Sequence, residues 1–305
     1  MLPMRPRVHV MDLQFRGQAG LIASYLVECG EELALIETGP QSTLPSLLAQ
    51  LKELGMEASR VRHVLVTHVH LDHAGAAGWW ANEHGARVYA HPAALRHLAD
   101  PTRLLAGARE VYGEAMDALW GTMQAVPAPQ LQLLEDGARL PLGDLVLEAW
   151  DTPGHARHHH VYVLGDMAFC GDVAGMRMPG HAYISPTTAP SQFDLPAYLK
   201  SIQRLRDAEF QTLWLTHFGP VSGHSAVRIH LEDYASCLVA ATTAVESDAA
   251  AGLSEVEIAA EHSRRQQHEA LAKGVSEQDW RRIELANPCA MGALGILQAW
   301  RRRQL

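Results

Sequence analysis

Four short apolar runs in this chain stop at residues that bind metals, and that arrangement limits the fold more than any other feature. The run at 61–66, VRHVLV, leads into THVHLDHAG at 67–75, where His68, His70, Asp72 and His73 form an HxHxDH pattern. The run at 145–150 leads into TPGH, which turns at Pro153-Gly154 and presents His155. The run ending at Cys170 is followed by Gly171-Asp172, and the run ending at Leu215 by Thr216-His217. A strand end holds a loop rigidly while leaving its side chains free to point into a cleft. Imidazole and carboxylate are the ligands that divalent zinc, iron or manganese accept. His68 and His70 can reach one ion, while Asp72 and His73 reach a second close by. With 18 histidines in 305 residues, the first cluster alone could be a polar turn in a histidine-rich chain. Its recurrence at three later strand ends decides for metal.

The remaining pattern supplies the scaffold. Residues 21–27 and 32–36 read as a hairpin about Cys29-Gly30, followed by a helix with Leu44, Leu47, Leu48, Leu51 and Leu54 at helical spacing. A helix over 76–83 and a strand over 86–90 come next, then a helical insertion at about 91–124 that VPAP at 126–129 ends. Strands return at 131–134, 145–150, 160–164 and 167–170; a Gly-, Pro- and Ser-rich loop fills 171–192, and a helix over 195–205 precedes a strand at 212–215. After 222 only helical signals remain. Ser254 with Glu257 is a capping box, Ser276 with Asp279 starts another helix, and Asn287-Pro288 precedes a last one ending at Trp300. The chain therefore reads as an α/β body over 1–222 with a helical extension over 223–305.

The net charge of −9 makes a phosphate backbone a poor partner, so a small-molecule substrate and no nucleic acid are expected. No apolar run reaches membrane-spanning length, and the N-terminal stretch with Arg5 and Arg7 lacks a signal-peptide core. Cys29, Cys170, Cys237 and Cys289 form no CxxC pair and fit a reducing, cytoplasmic setting.

The ordered set of strand-end ligands resembles the metallo-β-lactamase superfamily of binuclear metallohydrolases, over roughly residues 20–220. That resemblance implies a four-layer αβ/βα sandwich with two divalent ions, zinc first and iron or manganese as alternatives, at one edge of its sheets. It implies His68, His70 and His155 on one ion, Asp72, His73 and His217 on the other, and Asp172 bridging them. Where the family usually has aspartate, the segment Ile36-Glu37-Thr38-Gly39 has Glu37, which is expected to orient the metal loop as an acceptor. The implied chemistry is hydrolysis by a hydroxide shared between the ions, with Asp72 and Asp172 holding it and shuttling its proton. No serine or cysteine sits in a GxSxG setting.

An aspartate at the bridging position resembles glyoxalase II, N-acyl-homoserine-lactone lactonases and tRNA 3′-processing nucleases, and argues against β-lactamase activity. The acidic charge lowers the nuclease or phosphodiesterase reading, which leaves an ester, thioester or lactone of a small molecule. The alternative from another class is a persulfide dioxygenase with a single iron, which shares the HxHxDH signature. Candidate pocket residues come from the insertion and the long loop: Trp120, Met176, Arg177 and Tyr183. Of His158, His159 and His160, at most one is expected near the site, the others opening the next strand. Leu238, Val239, Met291, Leu294, Ile296 and Leu297 of the extension need burial, for which a homodimer through the C-terminal helices is the expected solution.

Overall fold

Alternating and β-branched runs give two sheets, and leucine- or alanine-periodic runs give the helices between and after them. A computed structural model describes residues 6–304; residues 1–5, including Arg5, and residue 305 lie outside the described residues. The order is β1 (Arg7–Asp12), β2 (Ala23–Cys29), β3 (Glu32–Ile36), α1 (Leu44–Glu53), β4 (Val61–Leu65), α2 (Leu71–Ala74), α3 (Ala77–His84) and β5 (Arg87–Ala90). Then come α4 (Leu95–Ala99), α5 (Thr102–Tyr112), α6 (Met116–Trp120), β6 (Leu131–Leu133), β7 (Arg139–Leu142), β8 (Leu145–Asp151), β9 (His160–Leu164) and β10 (Met167–Gly171). The chain closes with α7 (Leu195–Asp207), β11 (Thr212–Leu215), β12 (Gly219–Ser222), α8 (His224–Ala250), α9 (Glu255–Ala272), α10 (Glu277–Ala286) and α11 (Cys289–Gln304). This is the expected α/β architecture with a C-terminal helical region. Among the described residues, no helix is long and apolar enough to cross a membrane.

Two compact units divide the chain. One holds the residues up to Asp151 together with His158–Gly171, the other Thr152–Arg157 together with everything from Asp172 onward. A boundary drawn at residue 222 from the loss of strand signal therefore differs from the division by packing, which groups 172–222 with the helices.

In the first unit, β1 to β6 form a sheet in sequence order, antiparallel through β3 and parallel from β3 to β6. Strands β7 to β10 form an antiparallel meander. The two layers meet through aromatic side chains. Tyr162 on β9 donates its hydroxyl to Val66 O at 2.9 Å and Tyr89 O at 3.2 Å, where β4 and β5 end. Tyr25 on β2 meets Phe169 on β10 at a ring separation of 5.6 Å.

Three strands escaped the sequence reading. β1 carries Arg7, His9 and Asp12 and buries only Met11 well, so its apolar signal is weak. β7 contains Pro141, which lacks a donor and is tolerated because this strand ends its sheet. β12 begins at Gly219-Pro220, a pair of turn-forming residues that hides a strand, and pairs with β11. The insertion at 91–124 is also not continuous: Pro101 and Gly113, the latter at φ 54°, break it into α4, α5 and α6. None of α5 is fully buried.

The second unit is built on helix caps and close backbone approaches. Ser254 and Glu257 form the expected capping box on α9, and Ser276 accepts from Asp279 N–H on α10. Asn287 donates to Ser185 Oγ at 2.9 Å and Pro186 O at 3.0 Å. A Cβ at Gly295 would lie 1.8 Å from Thr188 O, and one at Gly292 2.9 Å from Thr188 Oγ1, so α11 seats directly on the 188–190 segment. Leu238, Ile296 and Leu297 find burial within the chain, Met291 and Leu294 are half-buried, and Val239 stays 42% exposed.

His262 on α9 is buried, and burial, with Arg265 adding to it against Asp248, pushes its pKa down to about 4. An unfolded histidine takes a proton near pH 6.5, whereas the folded one waits until about 4. Between those values the unfolded state binds more protons, so stability is full above 6.5 and falls as pH drops. The loss from this one side chain should be roughly 2 kcal/mol by pH 5 and about 3 kcal/mol by pH 4. Denaturant unfolding of metal-free protein between pH 7 and 5 measures it. His262→Gln should flatten the slope by that amount, and an unchanged slope rejects the assignment.

Candidate metal centre

Parallel register places the first set of ligands. β3 and β4 pair Ile36 with Leu65, so the residues just beyond each strand lie side by side. Glu37 takes a left-handed φ of 64° and donates its own N–H to Leu65 O at 2.8 Å. Its carboxylate, fully buried, accepts from Thr67 Oγ1 at 2.5 Å, Thr67 N–H at 3.2 Å and His73 Nδ1 at 2.9 Å. An acceptor that orients the loop is the role the sequence predicts for Glu37, and these are its partners.

The network also assigns ring protons. His73 Nδ1–H donates to Glu37, so Nε2 remains an acceptor, 3.6 Å from Asp72 Oδ2. Thr67 Oγ1–H is committed to Glu37, so its oxygen accepts from His68 Nδ1–H at 3.0 Å. His68 Nε2 is thereby left unprotonated, 2.9 Å from His70 Nδ1. The loop itself is pinned by Thr38, whose N–H and hydroxyl both donate to His73 O, at 2.8 and 2.9 Å.

Sequence reasoning missed several contributors here. His159 and His158 lie with ring centres 5.1 and 6.2 Å from His68, so two of the three consecutive histidines approach the cluster where at most one was expected. His160 does open β9, with its ring against His91 at 4.7 Å. Gly171, at φ 52°, leaves no room for a Cβ, which would fall 2.4 Å from Thr67 Oγ1 and 2.7 Å from His159 Nε2. The signal for Thr67 was its place in a Thr-His step that recurs at Thr216-His217. Trp120 stacks on Phe15 at 5.4 Å and meets Tyr112 at 5.2 Å.

The second unit holds the other three ligand candidates. The TPGH turn lies flat on α7: Gly154, at φ 136°, would put a Cβ 2.3 Å from Tyr198 Cα, and Ser201 Oγ donates to Pro153 O at 2.7 Å. His155 Nδ1–H donates to Thr187 O at 2.9 Å, which leaves Nε2 as an acceptor 3.3 Å from Asp172 Oδ2. His217 Nε2 stands 3.4 Å from the other oxygen, Asp172 Oδ1. All three side chains are buried. Asp172 therefore divides its two oxygens between two imidazoles.

The loop candidates for a pocket are used differently. Met176 is buried and exchanges backbone hydrogen bonds with Ser185. Arg177 donates its N–H to His217 O at 2.6 Å and its Nε to His181 O at 2.8 Å, bracing the His217 turn. Tyr183 is buried, donates to Gln266 Oε1 at 2.8 Å and packs edge-on against Trp280. Its hydroxyl is thus spent on α9.

The donor set suits a divalent ion. Every ligand atom is nitrogen or carboxylate oxygen, and His68, His73 and His155 each have one ring nitrogen whose proton is held by an acceptor, so that the other carries no proton. Two ligands each about 2.0–2.2 Å from one ion stand roughly 3.0–3.5 Å apart. The pairs His68–His70, His155–Asp172 and His217–Asp172 are separated by 2.9, 3.3 and 3.4 Å.

Comparison with known proteins adds the context. The profile of the metallo-beta-lactamase superfamily matches residues 17–217. The metallo-beta-lactamase fold-containing protein ST1585 of Sulfurisphaera tokodaii is 27% identical over 205 residues, 66% of this chain and 74% of that protein. A hydroxyacylglutathione hydrolase of Anaeromyxobacter dehalogenans is 33% identical over 174 residues, 54% of this chain and 63% of that enzyme. The crystal structure of the metallo-beta-lactamase family protein TTHA1429 from Thermus thermophilus superposes with a TM-score of 0.69, covering 97% of this chain and 94% of that one at 21% identity. This last likeness is one of fold.

Proposed function

Because the chain belongs to the metallo-β-lactamase superfamily, we propose that it is a hydrolase that uses two divalent ions, zinc first, to cleave an ester, thioester or lactone of a small molecule. The observation that carries this reading is the divided carboxylate of Asp172, with one oxygen toward His155 and one toward His217. A carboxylate so placed is suited to touch two ions at once. His68, His70 and His155 would hold the first ion, and Asp72, His73 and His217 the second. Once bound, such a pair supplies a water acidic enough to attack near neutral pH and an electrophilic contact for the carbonyl oxygen.

The chain's own residues do the rest. Asp172 orients the attacking water by accepting its hydrogen bond, and Asp72, 17% exposed at its side chain, takes up and returns the proton. Glu37 keeps His73 and, through Thr67, His68 in the tautomers that ligation requires. The similarity to a relative named hydroxyacylglutathione hydrolase favours an acyl substrate, and the net charge of −9 favours a small molecule over a nucleic acid.

The test is metal quantification on purified protein, followed by a panel of thioesters, lactones and phosphodiesters, with oxygen uptake on glutathione persulfide alongside. Two divalent ions per chain and turnover of an acyl substrate are expected. A single iron with oxygen consumption would replace the hydrolase reading with a persulfide dioxygenase, and preferential phosphodiester cleavage would overturn the substrate class.

A further inference from the structure

Three buried hydroxyls meet beneath Asp172, and each comes from a different segment of the second unit. Thr187 Oγ1 and the Tyr198 and Tyr234 hydroxyls form a triangle with sides of 2.8, 2.9 and 2.9 Å. Tyr198 stands on α7 and Tyr234 on α8, within the helical extension. All three side chains are at most 3% exposed. Burial raises the pKa of both phenols.

The triangle is attached to both metal-ligand candidates next to it. Asp172 O has three donors in reach: Gly175 N–H at 3.0 Å, Thr187 Oγ1 at 2.9 Å and the Tyr198 hydroxyl at 2.6 Å. A carbonyl oxygen has two lone pairs. With Gly175 and Tyr198 occupying them, the Thr187 proton has Tyr234 as its other acceptor, and Tyr234 can pass its own to Tyr198. Tyr234 also accepts Thr187 N–H at 3.3 Å, while the carbonyl of Thr187 accepts His155 Nδ1–H. Thr187 is therefore tied to the ring of His155 by its carbonyl and, through the Tyr234 and Tyr198 hydroxyls, to the backbone of Asp172, and Tyr234 is the group that holds Thr187 on two sides. Behind it, Gly175 is a tight fit: a Cβ there would fall 2.5 Å from the Tyr234 ring.

We propose that Tyr198 and Tyr234 are positioning residues, Tyr198 by its direct bond to Asp172 O and Tyr234 through Thr187, which hold Asp172 and His155 in ligand geometry and so make the helical extension part of the metal site. This rests on the two-ion reading above. Neither phenol touches the ions or the substrate in this scheme. Their effect is to remove the freedom of a carboxylate and an imidazole whose lone pairs must converge, which is how groups behind metal ligands set affinity.

The experiment measures zinc affinity by chelator competition in full-length protein, with thermal unfolding of the metal-free forms as a folding control. Tyr234→Phe and Tyr198→Phe should each weaken zinc by about 10–100-fold. Tyr89→Phe removes a phenol hydroxyl bonded to the His63 ring and should stay within roughly twofold of the parent, since no proposed ligand depends on it. Thr187→Val should match the tyrosine variants, and Thr187→Ser, which keeps the hydroxyl, should restore most of the affinity. If Tyr234→Phe and Tyr89→Phe alter zinc affinity equally, or if Thr187→Val retains parental affinity, the positioning role is overturned while the metal site stands. If the parent protein takes up no divalent ion, the two-ion reading fails and this proposal falls with it.

Discussion

Asp172→Ala should lower acyl hydrolysis by about 10²–10⁴-fold, the range expected when a proton-handling group is lost, and should cost the protein at least one of its two proposed ions. Two losses coincide in this substitution. Asp172 is the carboxylate placed between His155 Nε2 and His217 Nε2 in its unit, 3.3 and 3.4 Å from them. Without it, these two imidazoles lose the negative charge beside them that would balance bound cations, and the attacking water loses the acceptor that orients it. Asp172→Asn separates these terms, because it keeps the shape and one oxygen but discards the charge. It should retain more metal than the alanine variant while turnover stays low. Turnover, metal content and circular dichroism measured together decide the matter. An alanine variant with full hydrolysis and two ions would sink the proposed mechanism.

The second large effect is at Glu37. Glu37→Ala should destabilise the metal-free protein by about 3–5 kcal/mol, because each buried donor left without its acceptor costs about 1–3 kcal/mol. Thr67 Oγ1, Thr67 N–H and His73 Nδ1 all lose their acceptor at once in a site closed to water. Glu37→Gln is the more instructive variant. Its amide oxygen can keep Thr67 N–H, a backbone donor with no other form, in the place of Oε2, but its NH₂ group then takes the place of Oε1, facing Thr67 Oγ1 and His73 Nδ1 together, and forces that ring nitrogen to be the acceptor. The His73 proton moves to Nε2, the nitrogen that ligation requires bare. Glu37→Gln should therefore lose less stability than Glu37→Ala yet weaken metal binding by about 10–100-fold. Glu37→Asp trades two effects: aspartate tolerates the left-handed φ of 64° better, but its carboxylate retreats by one methylene from three donors. Denaturant unfolding and chelator competition across the three variants test this, and parental zinc affinity in Glu37→Gln would contradict the tautomer assignment.

The ligand-bearing strand ends were legible because they combine two strong local signals, an apolar run and an abrupt change to His or Asp. The caps at Ser254 and Ser276 were legible for the same local reason. Thr67, Gly171 and His159 were not, since their importance depends on which strands lie side by side, and register is not written in any one segment. Tyr198 and Tyr234 could be read only as inward helix positions, for periodicity gives the buried face and not the atom to which a hydroxyl points. Tyr183 and Trp120 were drawn to a pocket by closeness in sequence to the long loop and the insertion. Their rings instead pack against Trp280 and Phe15. β7 was hidden by Pro141, and β1 by its charged residues.

The two glycines of α11 have a consequence for how this chain can change length. A residue added to or removed from the start of that helix would turn everything after it by about 100°. Gly292 and Gly295 would then rotate away from Thr188, and side chains would arrive where the backbone now comes within contact of a Cβ position. Single-residue insertions and deletions are therefore barred between the Asn287-Pro288 step and Gly295, although substitutions at outward positions there are free. In an alignment of relatives that share this helix, gaps should gather in the turns on either side and spare these eight positions.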